Sequence, residues 1–270
     1  MSNEMSFGDR MKRLEGQEAN RILLPGAPIV ARLDGRSFHT VTRKLERPFS
    51  KPFHDVMQNV TQYLVDKTGA VIGYTQSDEI SLVWPGGRSD AERWFDGRVS
   101  KLTSLLAAMA SVRFNQQAAV FKLDVPELAV FDCRVWTVPN EDEAVNALVW
   151  REQDASKNSI QMVAQANFSA KAIHKLNGAQ LQEKLWAEKG INWNDYPAWM
   201  KRGSYFGRRT FQRPFTEAQL AALPGRHAAR TDPSVQIART QVARLEMPQL
   251  SKVVNRNAVV FQGDDPLVGE

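Results

Sequence analysis

The sequence predicts an α+β protein built on a ferredoxin-like (split βαβ) sheet, with flanking helices and a basic C-terminal extension. The chain has 270 residues, of which 43% are hydrophobic, enough for one large domain or two small ones. Its first half shows the order strand, helix, strand, strand, helix, strand, which is the order of that fold. Two of the strands are apolar runs that end in a carboxylate.

Each element of this order is predicted from the spacing of its apolar residues. Consecutive or alternating apolar residues indicate strands, and recurrence at intervals of three and four indicates helices. Pro28 begins the first strand, Gly69 ends the first helix, and the Pro-Gly-Gly sequence at 85–87 closes a hairpin. The predicted strands cover residues 27–34, 71–76, 80–84 and 129–138, and the predicted helices between them cover 51–67 and 90–115.

The remaining helices and the C-terminal segment follow from the same patterns. Helices are predicted over residues 141–153, 158–168 and 178–189, the first two as a helical hairpin and the last stopped by Gly190. From Gly203 onward extended segments and loops are expected, with a frayed tail from Gly263. The second helix of the βαβ order is predicted to bury one stripe, formed by Phe95, Val99, Leu102, Leu105, Met109 and Val112.

Composition limits the cellular compartment of the protein and the classes of partner that it is expected to bind. A single cysteine, Cys133, excludes an internal disulfide and a multi-cysteine zinc site, and it favours a reducing cytoplasm. No stretch is long and apolar enough to span a membrane. Residues 1–200 carry 24 basic and 24 acidic side chains, whereas residues 201–270 carry 11 and 6. This basic half indicates either a polyanion partner, usually nucleic acid, or only a solvated, Arg-rich surface.

Asp34 and Asp78 are the strongest candidates for chemistry. Each follows an apolar strand, and adjacent central strands of the predicted sheet would bring them close together. Two close carboxylates repel unless a cation neutralises them, and Mg²⁺ takes carboxylate oxygens together with waters and phosphates. A turn-capping role explains either residue alone, but the paired positions favour a metal site for phosphoryl chemistry.

Residues around these carboxylates are suited to phosphate. Gly35 lets the backbone approach a ligand, and the amides of residues 35–39 are able to form an anion nest. The side chains near them leave a structural role open, since they also suit turns and solvated helix faces. The candidate nucleotide-binding residues are Gly35, Arg36, Ser37, Phe38, His39, Arg47, Ser77, Arg98 and Lys101.

Two later segments are candidates for RNA or for a second nucleotide. Residues 150–159 group polar side chains at helical spacing, as a helix-terminus network or as a binding site. Residues 200–213 interleave basic and aromatic side chains, which suits phosphates and unpaired bases but also an edge hairpin with its aromatics in the core. The candidates are Arg134, Arg151, Asp154, Asn158, Lys201, Arg202, Arg208 and Arg209.

These motifs occur in the order of one known family. The chain resembles the tRNA-histidine guanylyltransferases and their bacterial and archaeal Thg1-like relatives, over about residues 5–213. The resemblance is carried by residues 32–39 (Arg-Leu-Asp-Gly-Arg-Ser-Phe-His), 76–79 (Gln-Ser-Asp-Glu), 131–134 (Phe-Asp-Cys-Arg), Trp150-Arg151 with Asp154, and 201–203 (Lys-Arg-Gly).

The resemblance implies a polymerase-palm-type domain, residues 1–138, completed by a helical and basic region, residues 139–270, that contacts tRNA. It implies a homotetramer that adds nucleotides to the 5′ end of tRNA, using two Mg²⁺ ions and ATP, GTP or other nucleoside triphosphates. The implied metal ligands are Asp34, the Gly35 carbonyl and Asp78, with Glu79 beside them in the catalytic group.

One departure from the family pattern bears on specificity. Enzymes that add guanosine to tRNA-histidine carry His-Ile-Asn-Asn-Leu-Tyr after the Trp-Arg-x-x-Asp motif, whereas residues 156–161 here read Ser-Lys-Asn-Ser-Ile-Gln. This favours the relatives that repair truncated tRNA 5′ ends by templated addition over a dedicated guanylyltransferase. A palm-type nucleotide cyclase and a non-catalytic RNA-binding protein are the alternatives from other functional classes.

Overall fold

The centre of the molecule is one antiparallel sheet that joins both halves of the chain. The computed structural model describes residues 5–87 and 94–269. The strands are β1 (Ile29–Gly35), β2 (Ile72–Gln76), β3 (Glu79–Trp84), β4 (Phe131–Thr137), β5 (Ser204–Pro214) and β6 (Gln236–Leu245). Their order is β4-β1-β3-β2-β5-β6, and the first four have the predicted ferredoxin-like arrangement. The predicted fold class is therefore confirmed.

Helices cover both faces of this sheet. They are α1 (Phe7–Ala19), α2 (Phe38–Val41), α3 (Lys51–Thr68), α4 (Val99–Val120), α5 (Glu141–Asn167), α6 (Gly178–Lys189), α7 (Ala198–Arg202) and α8 (Glu217–Ala222). Within the described ranges, no helix combines the length and the apolar character that crossing a bilayer requires.

Alternation along β1 assigns its side chains to two separate cores. Ala31 and Leu33 belong to the core under α3 and α4, whereas Val30 belongs to the core under α5. Since successive strand residues point to opposite faces, Arg32 and Asp34 lie on the α5 face with Val30. The period of two along this strand thus directs the predicted catalytic carboxylate toward α5.

The predicted ends of α3 are confirmed in detail. Ser50 caps its N-terminus, where the Ser50 hydroxyl accepts a hydrogen bond from the Phe53 amide, and Pro52 occupies the first turn. At the C-terminus Gly69 adopts φ 69°, the left-handed conformation that ends a helix without strain. The loop that carries Asp34 therefore leads into a rigid helix.

Three predictions about helices are wrong. The helical hairpin over 141–168 is one continuous helix, α5, because residues 154–157 contain neither Gly nor Pro and Ser156 bonds back to the Glu152 carbonyl. The helix predicted from residue 90 begins at Val99 within the described residues, and residues 88–93 lie outside them. Helix α1 was not predicted at all.

The buried stripe of α4 is also different from the predicted one. The residues that face the core recur every four positions: Leu102, Leu106, Ala110, Phe114 and Ala118. Leu105 and Val112 of the predicted stripe are exposed. The helix is apolar almost all round, so apolar spacing alone does not single out the packed face.

The C-terminal tail is not frayed. Val268 pairs with Val253 in an isolated bridge, and the Val254 amide donates to the Leu267 carbonyl at 2.8 Å. The side chain of Asn255 bonds the backbone of Asp265 and Leu267. The paired segments are separated in sequence, so no local residue pattern predicts that the tail is ordered.

Candidate active site

The two predicted metal-binding carboxylates meet at one end of the sheet. β1 ends at Asp34-Gly35 and β3 begins at Glu79, directly opposite Asp34 in the antiparallel register. The Gly35 amide donates a hydrogen bond to the Asp78 carbonyl at 3.1 Å, which ties the two loops together. The pairing therefore brings the acidic groups of two separate sequence segments to one point.

The local backbone explains why these sequences occur at the two loops. Ser77-Asp78 is a two-residue connection between the paired residues Gln76 and Glu79, and Ser77 adopts φ 51°. At Gly35 a Cβ atom would lie 2.3 Å from the Phe38 ring, which is packed in the core. Only glycine fits there, because a side chain would occupy the space of the Phe38 ring.

Burial and mutual repulsion act on the acidic groups. Burial raises the pKa of Asp78, and the nearby Asp34 carboxylate raises it further, against a hydrogen bond from the Ser77 hydroxyl at 2.9 Å. Burial also raises the pKa of Glu79, opposed by its hydrogen bonds to Arg151. Asp34 and Asp78 thus form a pair whose charge a cation would stabilise.

Helix α5 supplies a basic and polar network over this pair. Arg151 binds Glu79 through two hydrogen bonds, Nε to Oε1 at 2.6 Å and Nη2 to Oε2 at 2.7 Å. It also binds Asp154 at 3.0 Å, and Asn158 donates to the same carboxylate at 3.4 Å. Because Glu79 is engaged by Arg151, Asp34 and Asp78 are the carboxylates left for a metal.

The donor set suits Mg²⁺. This ion takes one or two protein carboxylates and completes its shell with waters and substrate phosphates. Asp34, Asp78 and the Gly35 carbonyl meet that need. Among residues 5–87 and 94–269 there is no cluster of three or more His, Cys, Asp or Glu side chains of the kind that encloses a metal. An Mg²⁺ ion held by two carboxylates and a carbonyl would leave coordination positions for waters and substrate phosphates.

Two adjoining cavities open at the carboxylates. The first, called here the carboxylate cavity, has a volume of about 500 Å³ and is lined by Arg32, Asp34, Gln76, Ser77, Asp78, Glu79, Arg151, Asn158 and Met162. The second, the aromatic cavity, has a volume of about 340 Å³ and includes His39, Arg47, Phe49, Phe53, His54 and Trp199 in its lining. Gln76, Ser77 and Met162 line both, so the two adjoin.

The structure separates the predicted nucleotide-binding residues into three places. Ser77, His39 and Arg47 line the cavities. Arg36 and Ser37 are exposed beside Asp34, with Ser37 in the left-handed conformation, while the Phe38 side chain is buried in the core. The Phe38 ring is therefore structural.

Arg98 and Lys101 lie elsewhere. They are at the N-terminal end of α4, beside residues 21–23, whereas α4 meets the start of β4, next to Gly35, from Ser111 onward. Twelve helical residues separate Val99 from Ser111, or roughly 18 Å. Within one chain the structure does not bring this basic pair to Asp34 and Asp78, contrary to the expectation. A long helix carries its two ends to opposite edges of the sheet.

The predicted RNA-binding residues are also dispersed. Arg151, Asp154 and Asn158 lie together over the carboxylates, and Arg134 is exposed on β4. Lys201 bonds the Asn194 carbonyl, and Arg202 lies 3.4 Å from the buried Glu152 carboxylate.

Arg208 and Arg209 have structural partners. The Arg208 guanidinium donates to the Val65 and Asp66 carbonyls at the end of α3, and Arg209 bonds the Asp264 carbonyl. Tyr205 and Phe206 are buried, so the aromatics at this end of the segment belong to the core. Arg208 and Arg209 were expected to contact RNA. Their hydrogen bonds within the protein instead give them a role in packing.

Sequence reasoning missed His54, Trp199 and Arg32. The His54 ring stacks on Trp199 with centroids 4.4 Å apart, and both line the aromatic cavity. They are 145 residues apart, and no local signal connects them. Arg32 carried a signal, because it precedes Asp34 by two residues and so shares its face of β1.

Comparisons with known proteins agree with this geometry. A family model described as Thg1, tRNAHis guanylyltransferase, matches residues 8–139. The tRNA(His) guanylyltransferase of Schizosaccharomyces pombe is 30% identical over 205 residues, which cover 69% of this chain and 75% of that protein. An uncharacterised protein of Acanthamoeba polyphaga mimivirus is 34% identical over 220 residues, 73% of this chain and 75% of that one.

Solved structures extend the similarity to almost the whole chain. A bacterial tRNA(His) guanylyltransferase (Thg1)-like protein in complex with ATP has a TM-score of 0.78 and 35% identity, and the match covers 95% of this chain and 99% of that one. A second such structure, in complex with GTP, has a TM-score of 0.70 and 33% identity over 92% and 95% of the two chains. The chain therefore belongs to the tRNA-histidine guanylyltransferase (Thg1) family and is a nucleotidyltransferase, which confirms the resemblance read from its motifs.

Proposed function

We propose that this nucleotidyltransferase activates the 5′ end of tRNA and adds nucleotides there in the 3′–5′ direction, with Mg²⁺. The observation that carries the proposal is the meeting of Asp34 and Asp78 at adjoining strand ends, in the carboxylate cavity and next to the aromatic cavity. The volume of these cavities suits a nucleoside triphosphate, and ATP and GTP are the ligands of the two bacterial relatives.

Each part of the site has a separate role in this proposal. Asp34, Asp78 and the Gly35 carbonyl hold Mg²⁺, which when bound neutralises the charge on the triphosphate and the reacting phosphate. The amides of residues 37–39 bind phosphate oxygens, whereas the Arg36 amide is held by the Val130 carbonyl. The Ser77 hydroxyl binds phosphate by exchanging its hydrogen bond to Asp78 for one to a phosphate oxygen. The base enters the aromatic cavity beside His54 and Trp199. Arg151 holds Glu79 in place and keeps its charge from competing for the substrate.

The proposed chemistry is two displacements at phosphorus. The 5′-monophosphate of the RNA attacks the α-phosphate of ATP, forming a 5′-adenylylated end and releasing pyrophosphate. The 3′-hydroxyl of the incoming nucleotide then attacks the 5′-phosphate of the RNA, loses its proton and releases AMP. In such reactions positioning and charge neutralisation supply most of the catalysis, which matches a site of carboxylates, amides and arginines.

Templated repair of truncated 5′ ends is the branch that we favour. It rests on residues 156–161, which keep only the first Asn of the stretch found in the dedicated guanylyltransferases; that retained residue, Asn158, lines the carboxylate cavity. Addition of a single guanosine to tRNA-histidine is the second candidate, supported by the named activity of the Schizosaccharomyces pombe relative.

One assay separates these activities and the other functional classes. The protein is incubated with labelled nucleoside triphosphates, Mg²⁺ and either 5′-truncated tRNA or full-length tRNA-histidine. Repair predicts addition that follows the opposite strand, and a dedicated enzyme predicts guanosine on tRNA-histidine alone. Cyclic nucleotide formed without RNA, or RNA binding without turnover, would overturn the proposal. Asp34→Asn and Asp78→Asn should each abolish addition and keep the fold.

We also propose the homotetramer that the family resemblance implies. Sedimentation equilibrium would then give a mass near four times the 30.4 kDa of one chain. A monomer mass at assay concentration would contradict this.

A further inference from the structure

A tryptophan lies exposed at the edge of the carboxylate site. Trp150 on α5 is 52% exposed, although an indole is among the costliest side chains to leave in water. Arg32 on β1 lies over its ring, and the exposed Arg134, the cross-strand neighbour of Arg32, is on β4 together with the exposed Asp132. These four residues are called here the tryptophan platform, and none of the roles described above uses its indole.

Two guanidinium groups lie over the indole. The Arg151 guanidinium lies 4.6 Å from its ring centroid and the Arg32 guanidinium 5.6 Å. Arg151 is itself anchored by its two hydrogen bonds to Glu79. An exposed aromatic ring that is already ordered loses little entropy on binding, which is the property of a stacking site.

The charge around the ring suits phosphates. Across the part of the chain that the structure describes, Arg32 has no hydrogen-bonded or ion-paired partner. Arg134 is its direct cross-strand neighbour, so the two side chains start about 5 Å apart on one face of the sheet. Arg134 is 3.8 Å from Asp132, with both side chains 55% exposed, and such exposed pairs are weak.

The position of the platform indicates which substrate meets it. The sheet order places β4 on one side of β1, which carries Asp34, and β3 and β2 on the other. The aromatic cavity extends on the β2 side through Gln76 and Ser77, and Arg32 on β1 stands at the edge of the carboxylate cavity toward β4. A triphosphate that fills the cavities leaves the β4 side for the second reactant. Basic and aromatic groups together on that side match a nucleotide of RNA.

We propose that Trp150 stacks on the base of the 5′-terminal nucleotide of the RNA, while Arg32 and Arg134 bind its phosphates. This rests on the proposed function, because it names the residues that position the RNA end at the same carboxylates. Trp150 is a positioning residue here, and the proton and phosphate transfers do not pass through it.

The test is a double-mutant cycle that combines a change in the protein with a change in the RNA. Binding is measured by fluorescence anisotropy with a 5′-monophosphorylated acceptor-stem hairpin whose 5′-terminal nucleotide carries its base or is abasic. For the wild-type protein, loss of the base should weaken binding about 5-fold or more, the range of one base–aromatic stack. Trp150→Ala should weaken binding of the intact RNA by a similar factor and show no further loss with the abasic RNA.

Two further variants make the result specific. Trp150→Phe keeps a stacking ring and should restore most of the base-dependent affinity. Trp186→Ala removes another exposed indole, on α6, and should keep the wild-type difference between the two RNAs. The proposal would be overturned if Trp150→Ala still bound the abasic RNA more weakly than the intact RNA by the wild-type factor. If that factor were unchanged and the mass of the assembly changed, the ring would instead cover a second copy of the chain.

Failure of this inference is distinguishable from failure of the proposed function. If the wild type adds nucleotides and Trp150→Ala still distinguishes the intact from the abasic RNA by the wild-type factor, the platform proposal fails and the proposed function stands. If the wild type adds no nucleotides but its base-dependent binding disappears in Trp150→Ala, the platform proposal stands and the proposed function fails.

Discussion

Adjacent acidic residues at the start of β3 have different partners and therefore different functions. Asp78 faces Asp34, and its charge is stabilised by the Ser77 hydroxyl and by its own backbone amide. Glu79 is bound on both oxygens by Arg151, and the side chains of this pair are each 15% exposed. A cation is needed at the first position and is already supplied, as a guanidinium, at the second.

Replacing Arg151 alone should therefore lower the free energy of unfolding more than replacing Arg151 and Glu79 together. Arg151→Met leaves the Glu79 carboxylate largely buried and unpaired, and we expect the free energy of unfolding to fall by about 3 kcal/mol. Glu79→Gln combined with Arg151→Met should recover most of this loss. Urea unfolding measures both, with Arg134→Met at an exposed ion pair as the matched control, expected within about 1 kcal/mol of wild type. Equal losses in the single and double variants would contradict the pairing argument.

His54 makes the stability of the aromatic cavity depend on pH. Burial lowers the pKa of His54 to about 4, and its ring stacks on Trp199 with Nε2 at 3.3 Å from the Ser204 hydroxyl. Below pH 6.5 the unfolded chain takes up a proton at this residue while the folded protein does not, so acid favours unfolding.

We expect this residue to cost the wild type about 2 kcal/mol of stability between pH 7.5 and pH 5. His54→Gln removes the titrating group, so the variant should lose less stability over the same interval. Urea unfolding at both pH values gives the comparison. Parallel losses in the two proteins would show that His54 is protonated in the folded state.

At the scale of elements, β5 and β6 form an arm that leaves the sheet. β5 pairs with β2 only through Gly207, whereas its pairing with β6 continues to Pro214. Along this free ribbon the exposed Phe211 and Arg239 are cross-strand partners, and alternation puts Arg213 on their face. The exposed part of the arm, rather than Arg208 and Arg209 at its root, carries the basic and aromatic side chains available to RNA.

Shortening the arm should separate RNA binding from folding. Replacing residues 211–239 with Asn-Gly joins the paired Thr210 and Thr240 by a two-residue turn and leaves the buried root of the arm intact. We expect the variant to melt within a few degrees of wild type and to bind nucleotide, while its affinity for tRNA falls at least 10-fold and its salt dependence flattens. Unchanged tRNA binding would exclude the arm from the interface. Loss of nucleotide binding would show that the arm supports the site.

At the scale of the molecule, the sheet makes the two halves of the chain depend on each other. Tyr205 on β5 packs on Tyr74 of β2 with ring centroids 4.7 Å apart, and both belong to the core under α5. Its hydroxyl donates to Glu152 at 2.9 Å, and Arg151 next to Glu152 binds Glu79. Residues beyond 138 thus complete both the core and the active site.

The fragment 1–138 should therefore fail to fold alone. Without α5 and β5, the apolar α5 face of the sheet is exposed and β2 becomes an unpaired edge. We expect weak near-ultraviolet circular dichroism and non-cooperative urea unfolding of the fragment, against a cooperative transition for the full chain. A cooperative transition of the fragment would show that the palm-like region is an independent domain.

The sequence by itself determined the arrangement of the first four strands and the position of the two carboxylates. Apolar periodicity is a local property, and a strand that ends in Asp34-Gly35 or Ser77-Asp78 shows where its chemistry lies. The same locality explains the continuous helix α5, which the polar stretch at 154–157 concealed.

Only the tertiary structure decided which side chains were available to a ligand. Arg208 and Arg209 resemble Arg213 in sequence, yet carbonyl groups far along the chain hold them, and Arg98 lies at the far end of α4 from the carboxylates. Trp150 and Arg32 meet across more than a hundred residues. Partners at such separations are set by how helices pack on the sheet, and the spacing of residues along one element contains no record of that packing.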